Sequence, residues 1–262
     1  MRFLEITQGN SPLILGLPHT GTDVPPEIWG QLNETGRMLA DTDWHVQDLY
    51  DGLVSDVTRV RTTLHRYVID VNRDPSGVSL YPGQNTTRLV PTTDFEGRAI
   101  WRSGQAPGQK ETEQRTVAYH APYHSALNAE IARVKARNGF AILFDCHSIR
   151  SEIPFLFEGR LPDFNTGTNN GDTCASSIES DVDEICRRAR GYTSVLNGRF
   201  KGGWTTRHHG RPAAAQHALQ MELAQSTYMQ EVPPWTYLPE RAAALRTHLK
   251  TILDRLIRWR PE

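Results

Sequence analysis

The sequence has little of what marks secreted, membrane-spanning or nucleic-acid-binding proteins. Three cysteines in 262 residues form no CxxC pair, so no disulfide framework is expected and a cytoplasmic location is predicted. No apolar run reaches the roughly 20 residues that cross a bilayer, and the interrupted N-terminus does not resemble a signal peptide. Lys and Arg total 29 against 30 Asp and Glu, which disfavours electrostatic binding to nucleic acid or anionic membrane.

The composition is nevertheless sufficient for a folded core. Hydrophobic residues make up 38% of the chain and charged residues 23%, a balance that excludes global disorder. The chain has no internal repeat, low-complexity tract or interdomain linker. We therefore predict one catalytic α/β domain over residues 1–262.

Short apolar runs alternate with helical patterns along the chain. The runs predicted as strands are residues 13–17, 67–71, 140–144 and 217–223. The predicted helices are residues 44–56, 111–138 with a break at Pro122, 178–190 and 239–259. This alternation predicts an α/β fold with a mostly parallel sheet. Two long stretches rich in Gly and Pro, 74–108 and 148–177, are expected to form walls or lids of a site.

Polar side chains stand at or near the ends of the predicted strands. They are His19, Asn72, Arg73, His147 and Glu222. Since open α/β sheets bind ligands at the carboxyl ends of their strands, we expect these side chains to meet in one crevice. Two imidazoles, a carboxylate, an arginine and an asparagine are what a metal hydrolase needs to act on an anionic substrate.

A catalytic zinc ion takes three protein ligands and keeps one position for water. His19 and His147 are the candidate imidazole ligands, although a lone histidine at a strand end is more often structural. A carboxylate is expected as the third ligand. The candidates are Asp23, Asp41, Asp43 and Asp145. Asp41 and Asp43 are also typical of helix caps.

Two other features of the sequence allow more than one interpretation. Cys146 beside His147 suggests a thiol nucleophile, but adjacent residues of a strand point to opposite faces, which disfavours the pair. The glycine-rich segment 198–203 and nearby Arg207 either bring positive charge to the crevice or form an ordinary solvated turn.

Seven ordered segments resemble the N-formylglutamate amidohydrolase family. They are residues 18–21, 41–45, 67–75, 79–84, 145–151, 197–204 and 222–225. The resemblance extends from about residue 11 to about residue 235. The family is more distantly similar to the zinc carboxypeptidases and the aspartoacylase group. This relationship implies a phosphorylase/hydrolase-like three-layer α/β sandwich with a mixed, mostly parallel sheet.

The resemblance also implies a reaction and residue roles. It implies that one Zn²⁺ per chain, or another divalent metal, supports cleavage of N-formyl-L-glutamate to formate and L-glutamate, the last step of a histidine degradation route. His19 and His147 match the zinc histidines and Glu222 matches the general base. Asn72 and Arg73 match the pair that grips a substrate carboxylate.

The sequence departs from the carboxypeptidase pattern at the second ligand. That pattern has a glutamate three residues after the first histidine, where this chain has Thr22. We take Asp43 as the ligand instead, with Asp23 and Asp41 as alternatives.

The second substrate carboxylate also needs a cation. Arg150, Lys201 and Arg207 are the candidates, with Arg211 as a further one. Two alternatives to the implied function stay open. One is hydrolysis of another N-acyl amino acid, of N-formimidoylglutamate or of a small peptide. The other is a non-catalytic protein that binds acidic amino acids.

Overall fold

The computed structural model describes residues 3–80 and 83–261, in which seven strands form one sheet. The strands are β1 Leu4–Thr7, β2 Leu13–Leu17, β3 Thr58–Thr62, β4 Ala141–Ile149, β5 Phe164–Gly167, β6 Ser194–Leu196 and β7 Gln216–Ala224. Their order across the sheet is β1-β3-β2-β4-β7-β5-β6. The central strands β3, β2, β4 and β7 are mutually parallel, whereas β1 and β5 pair antiparallel with β3 and β7.

Helices cover both faces of this sheet. They are α1 Pro26–Trp29, α2 Glu34–Arg37, α3 Val46–Tyr50, α4 Gln109–Arg115, α5 Ala121–Asn138, α6 Ser176–Arg188, α7 Trp204–His209 and α8 Pro239–Arg258. A π-helical turn, Thr116–His120, joins α4 to α5. Short 3₁₀ turns lie at Pro212–Ala214 and Gln225–Thr227.

Alternating side chains of the central strands build two separate cores. Leu13 and Leu15 of β2 pack with α3, α6 and α8 on one face, while Ile14 packs with α5 on the other. Since every residue of β2 and β4 is buried, their near-continuous apolar runs follow from being covered on both sides. The result is the expected three-layer α/β sandwich with a mixed sheet.

The predicted strand at residues 67–71 is wrong. The chain leaves β3 at Thr62 and folds through turns, such as the Val68 N–H to His65 C=O hydrogen bond. Tyr67, Val68 and Ile69 are buried in the α5-side core without joining the sheet. An apolar run predicts that a segment is buried, but it does not distinguish a buried turn from a buried strand.

The helix predictions agree with the structure more closely than the strand prediction at 67–71 does. The helices at 239–259 and 178–190 are confirmed within about two residues, as α8 and α6. The long helix ends as predicted at Asn138, with Gly139 at φ +83°, but its irregularity is the π turn before Pro122 rather than a break at the proline. The helix predicted at 44–56 is only the five residues of α3, because Asp51 is extended and Gly52 takes φ +67°.

The two long stretches contain mostly irregular backbone. The 148–177 stretch includes the end of β4 and the whole of β5, which the sequence did not indicate. Tyr81 and Pro82 of the 79–84 segment lie outside the described residues. Among the helices described, none has the length and apolar character needed to span a bilayer.

Candidate active site

The carboxyl ends of three parallel strands deliver the central side chains. His19 follows β2 by two residues, His147 lies near the end of β4, and Glu222 is its partner in register on β7. All three are buried. Because His147 and Glu222 are paired across neighbouring strands, their side chains lie on the same face of the sheet.

Asp43 reaches this group from the loop before α3. Its backbone N–H donates to the His19 carbonyl at 3.0 Å, which ties the loop to the end of β2. Asp43 Oδ2 lies 3.2 Å from His147 Nδ1 and 3.8 Å from His19 Nδ1, and the two Nδ1 atoms are 3.2 Å apart. A tetrahedral zinc site with bonds of 2.0–2.1 Å places neighbouring ligand atoms ~3.4 Å apart. The donor set His19–Asp43–His147 therefore fits a metal ion.

Other polar groups orient each member of this donor set. His19 Nε2 is 2.7 Å from Asp70 Oδ1, and His147 Nε2 is 2.9 Å from Asp145 Oδ2. A carboxylate holds the proton on Nε2 and leaves the Nδ1 lone pair for a metal. Arg66 Nη2 donates to Asp43 Oδ1 at 2.6 Å, so Oδ2 is directed at the histidines.

The electrostatics of the group favour a positive charge between its members. Burial would lower the pKa of His147, but Asp145 and Asp43 raise that pKa well above its usual value. Burial likewise opposes ionisation of Asp43, yet Arg66 and the histidines hold its pKa below the usual value. A divalent cation supplies the kind of charge that these carboxylates stabilise.

The remaining candidate carboxylates lie elsewhere. Asp23 is exposed, and its backbone N–H bonds to the Thr63 carbonyl. Asp41 is buried but accepts hydrogen bonds from the Tyr67 hydroxyl at 2.8 Å and the Phe95 N–H at 2.9 Å. Asp145 lies behind His147, on the side away from the donor set. Asp43 is thus the candidate aspartate that joins both histidine Nδ1 atoms.

Glu222 lies beside the donor set in a cavity. Burial raises the pKa of Glu222 to about 7, although the neighbouring His147 opposes the rise. Gln220 Nε2 donates to Glu222 Oε2 at 2.9 Å and orients the carboxyl group. A carboxyl group with a pKa near neutrality can both accept and return a proton.

The cavity is lined by arginine side chains in addition to the central group. Arg66, Arg73 and Arg199 all line it, together with Asn72 and Gly203. Thr86, Thr87 and Leu156 come from the two long stretches, which agrees with their predicted role as walls. The cavity thus combines a metal donor set, a carboxyl group and anion-binding side chains.

Known proteins resemble this chain over nearly its whole length. A model of the N-formylglutamate amidohydrolase family matches residues 11–229. The chain belongs to that family. Two curated relatives, both named N-formylglutamate deformylase, are each 43% identical to it. The Pseudomonas aeruginosa relative is matched over 98% of this chain and 96% of its own length, and the Pseudomonas putida relative over 100% and 98%. The protein is therefore an amidohydrolase.

Solved structures agree with this assignment. The crystal structure of N-formylglutamate amidohydrolase from Ralstonia eutropha JMP134 matches with a TM-score of 0.81 at 26% identity, over 98% of this chain and 97% of that one. A gene product of Agrobacterium tumefaciens matches with a TM-score of 0.71 at 19% identity, over 98% and 96%. The second likeness concerns the fold alone.

In this amidohydrolase, Asn72 and Arg73 lie on the turn that follows the buried 67–71 run. The Asn72 side-chain oxygen accepts from the Thr205 N–H at 2.8 Å, at the start of α7. A Cβ on Gly203 would lie 2.3–2.6 Å from the Asn72 amide, so only glycine permits this approach. Arg73 is anchored by Nε to the Thr87 carbonyl at 3.0 Å and lines the cavity.

The cations proposed for a second carboxylate do not line the cavity. Arg150 pairs with Glu96 at 2.9 Å and lies 3.6 Å from Asp41. Arg207 Nε donates to the Gly202 carbonyl, and Lys201 precedes the cavity-lining Gly203 by two residues. Arg199 does line it, with Nε and Nη2 donating to the Leu156 and Asn85 carbonyls.

The sequence analysis missed Arg66 altogether. This residue is buried, contacts Asp43 and lines the cavity, and its Nε has no hydrogen-bond partner among the described residues. Its position next to the apolar run 67–71, with Asp70 four residues later, was the available signal. By contrast, Cys146 packs in the core on the α8 side, away from the cavity, as the strand alternation predicts.

Proposed function

We propose that this amidohydrolase cleaves N-formyl-L-glutamate to formate and L-glutamate with one zinc ion per chain. The observation that carries the proposal is the His19–Asp43–His147 donor set beside Glu222 in an arginine-lined cavity. Two relatives named N-formylglutamate deformylase, matched over nearly the whole chain, support the substrate.

His19, Asp43 and His147 would hold the metal, because their ligand atoms converge and two imidazoles with one carboxylate suit zinc. A zinc ion bound there would acidify a water molecule and polarise the formyl carbonyl. Asp70 and Asp145 keep the two Nδ1 atoms unprotonated for this purpose, since each accepts the proton of the opposite ring nitrogen.

Glu222 performs the proton transfers in this proposal. Its carboxylate takes a proton from the attacking water and delivers it to the leaving amide nitrogen as the C–N bond breaks. Arg66 lines the same cavity as Glu222. Its positive charge is suited to the negative charge that develops on the formyl oxygen.

Arginines at the cavity wall bind the two substrate carboxylates. Arg73, with Asn72, takes one of them, because a guanidinium fork matches a carboxylate in two parallel hydrogen bonds. For the second carboxylate we favour Arg199 over Arg150, Lys201 and Arg207, since Arg199 lines the cavity.

The direct test measures the free amino acid released from matched substrates by the zinc-loaded protein, since only the N-formyl substrates release formate. N-formyl-L-glutamate is compared with N-formyl-L-glutamine, which lacks only the side-chain charge, and with N-acetyl-L-glutamate, which enlarges only the acyl group. We expect the highest kcat/KM for N-formyl-L-glutamate. Equal or better turnover of N-formimidoyl-L-glutamate or another N-acyl amino acid would contradict the substrate assignment.

The alternative of a non-catalytic binding protein for acidic amino acids finds no support. Such a protein has no need of a buried glutamate beside a metal donor set, and both relatives bear the name of an enzyme. A role in histidine breakdown, a cytoplasmic location and a single catalytic domain over residues 1–262 remain predictions.

A further inference from the structure

The residues proposed to bind substrate carboxylate lie on a segment that no strand supports. Asn72 and Arg73 follow the buried turn after β3, outside the sheet. Backbone carbonyls buried in such a turn need donors from elsewhere, because no neighbouring strand supplies them. The side chains that donate to these carbonyls hold the backbone from which Asn72 and Arg73 project.

Two histidines of the α5 region supply the donors. His124 Nε2 donates to the Val71 carbonyl at 2.7 Å, and His120 Nε2 donates to the Arg73 carbonyl at 2.9 Å. These two carbonyls flank Asn72 on either side. Both histidines are buried and lie one helical turn apart.

A third donor comes from the same side of the helix. Arg115 Nη1 donates to the Val68 carbonyl at 3.0 Å, in the same buried turn. Residues 115 and 120 would point about 140° apart on a regular α-helix. The π turn Thr116–His120, closed by the Ala121 N–H to Thr116 carbonyl bond, brings them back to one side. The π turn therefore allows both Arg115 and His120 to donate hydrogen bonds to the buried turn after β3.

The tautomer of His124 is set by the Val71 carbonyl, and a second histidine is placed to match it. A carbonyl oxygen only accepts, so Nε2 of His124 carries the proton and Nδ1 is an acceptor. His209 Nε2 lies 3.0 Å from that Nδ1 and donates to it. Burial lowers the pKa of His124 well below its usual value and that of His209 to about 3, which keeps both rings neutral.

We propose that His120 and His124 are positioning residues, which hold the Asn72–Arg73 segment in its substrate-binding conformation through the carbonyls of Arg73 and Val71. The inference rests on the proposed function only for the nature of the substrate. It assigns the two histidines no contact with substrate or metal.

The test compares His124→Leu with His124→Gln, whose amide nitrogen can replace the Nε2 donor. We expect His124→Leu to raise KM for N-formyl-L-glutamate about 10-fold, the scale for a buried carbonyl that loses its donor, with a change in kcat of less than about 3-fold. His124→Gln should restore most of the lost affinity. His217→Leu is the matched control, because His217 is also buried and accepts one hydrogen bond, from the Ala175 N–H.

Hydrogen–deuterium exchange gives a readout that does not depend on turnover. In His124→Leu we expect faster exchange over residues 67–74 and unchanged exchange over β4, whereas His217→Leu should leave residues 67–74 unchanged. The inference is overturned if His124→Leu matches the His217→Leu control in KM and exchange, or if His124→Gln fails to restore what His124→Leu loses. Absence of formate release by the wild type contradicts the proposed function alone, and the exchange comparison then decides the inference.

Discussion

The two sides of the cavity are built in different ways. On one side, His147 and Glu222 belong to adjacent parallel strands, and His19 follows a third. On the other side, Asn72 and Arg73 lie on irregular backbone whose carbonyls accept hydrogen bonds from His120 and His124, and Thr87 accepts from the Arg73 side chain. We refer to them as the strand side and the loop side.

This difference suggests that the strand side holds the reacting groups rigidly and that the loop side recognises the substrate. Metal ligation and proton transfer tolerate little displacement. The strand ladder fixes His147 and Glu222 through backbone hydrogen bonds, and the Asp43 N–H to His19 carbonyl bond ties the loop of Asp43 to the end of β2. Recognition of substrate carboxylates is placed on loops, where sequence can change without disturbing the sheet. Substitutions on the strand side should therefore abolish metal binding or reduce kcat, while those on the loop side should raise KM.

The largest effect is expected for His147→Ala. This change removes a ligand atom from the middle of the donor set, so zinc should fall well below one per chain and formate release should fall to background. Elemental analysis after gel filtration measures the metal, with His248→Ala on α8 as the control. Stoichiometric zinc in His147→Ala would remove His147 from the metal site.

Glu222→Gln separates proton transfer from metal binding on the strand side. The amide has nearly the same shape but cannot accept a proton, so we expect zinc to remain bound while kcat falls at least ~10²-fold. Steady-state kinetics and zinc content measured on one preparation separate the two effects. Wild-type kcat in this variant would refute the role of Glu222 as the base.

Arg73→Ala tests the loop side and should have the smallest of the three effects. Loss of a charged hydrogen-bonding partner costs ~1.5–3 kcal/mol, so kcat/KM should fall ~10- to 100-fold, mainly through KM, with zinc unchanged. Arg150→Ala is the matched control, because Arg150 is paired with Glu96 and does not line the cavity. A larger KM change in Arg150→Ala than in Arg73→Ala would contradict the proposal that Arg73, and not Arg150, binds a substrate carboxylate.

The strand side could largely be predicted from the sequence. Strands covered on both faces carry apolar runs, and the polar residues at their ends stand out against those runs, as His19 and His147 do. Asp43 was preferred in the sequence while Asp23 and Asp41 stayed open as alternatives, and in the structure it is Asp43 that lies with the two histidines. The strands β1, β3, β5 and β6 were missed. β1, β5 and β6 have only three or four residues and give no clear period, whereas the alternating burial of the five residues of β3 was not recognised in the sequence.

The loop side could not be predicted in the same way. The apolar run at 67–71 showed burial but not that its backbone turns away from the sheet. Which cation reaches the cavity depends on how two long loops fold against each other, so the sequence left Arg150, Lys201, Arg207 and Arg211 unranked and did not single out Arg199. The role of His120 and His124 depends on a π turn, for which no sequence signal was recognised.

The central claim, a metal-dependent deformylase centred on His19, Asp43 and His147, is tested most directly by metal removal and titration. The protein is stripped with a chelator, and formate release from N-formyl-L-glutamate is measured as zinc is added, with magnesium as the control metal because it prefers oxygen ligands. We expect no release without metal, recovery that reaches a plateau at about one zinc per chain, and no recovery with magnesium. Full activity in the stripped protein would contradict the account.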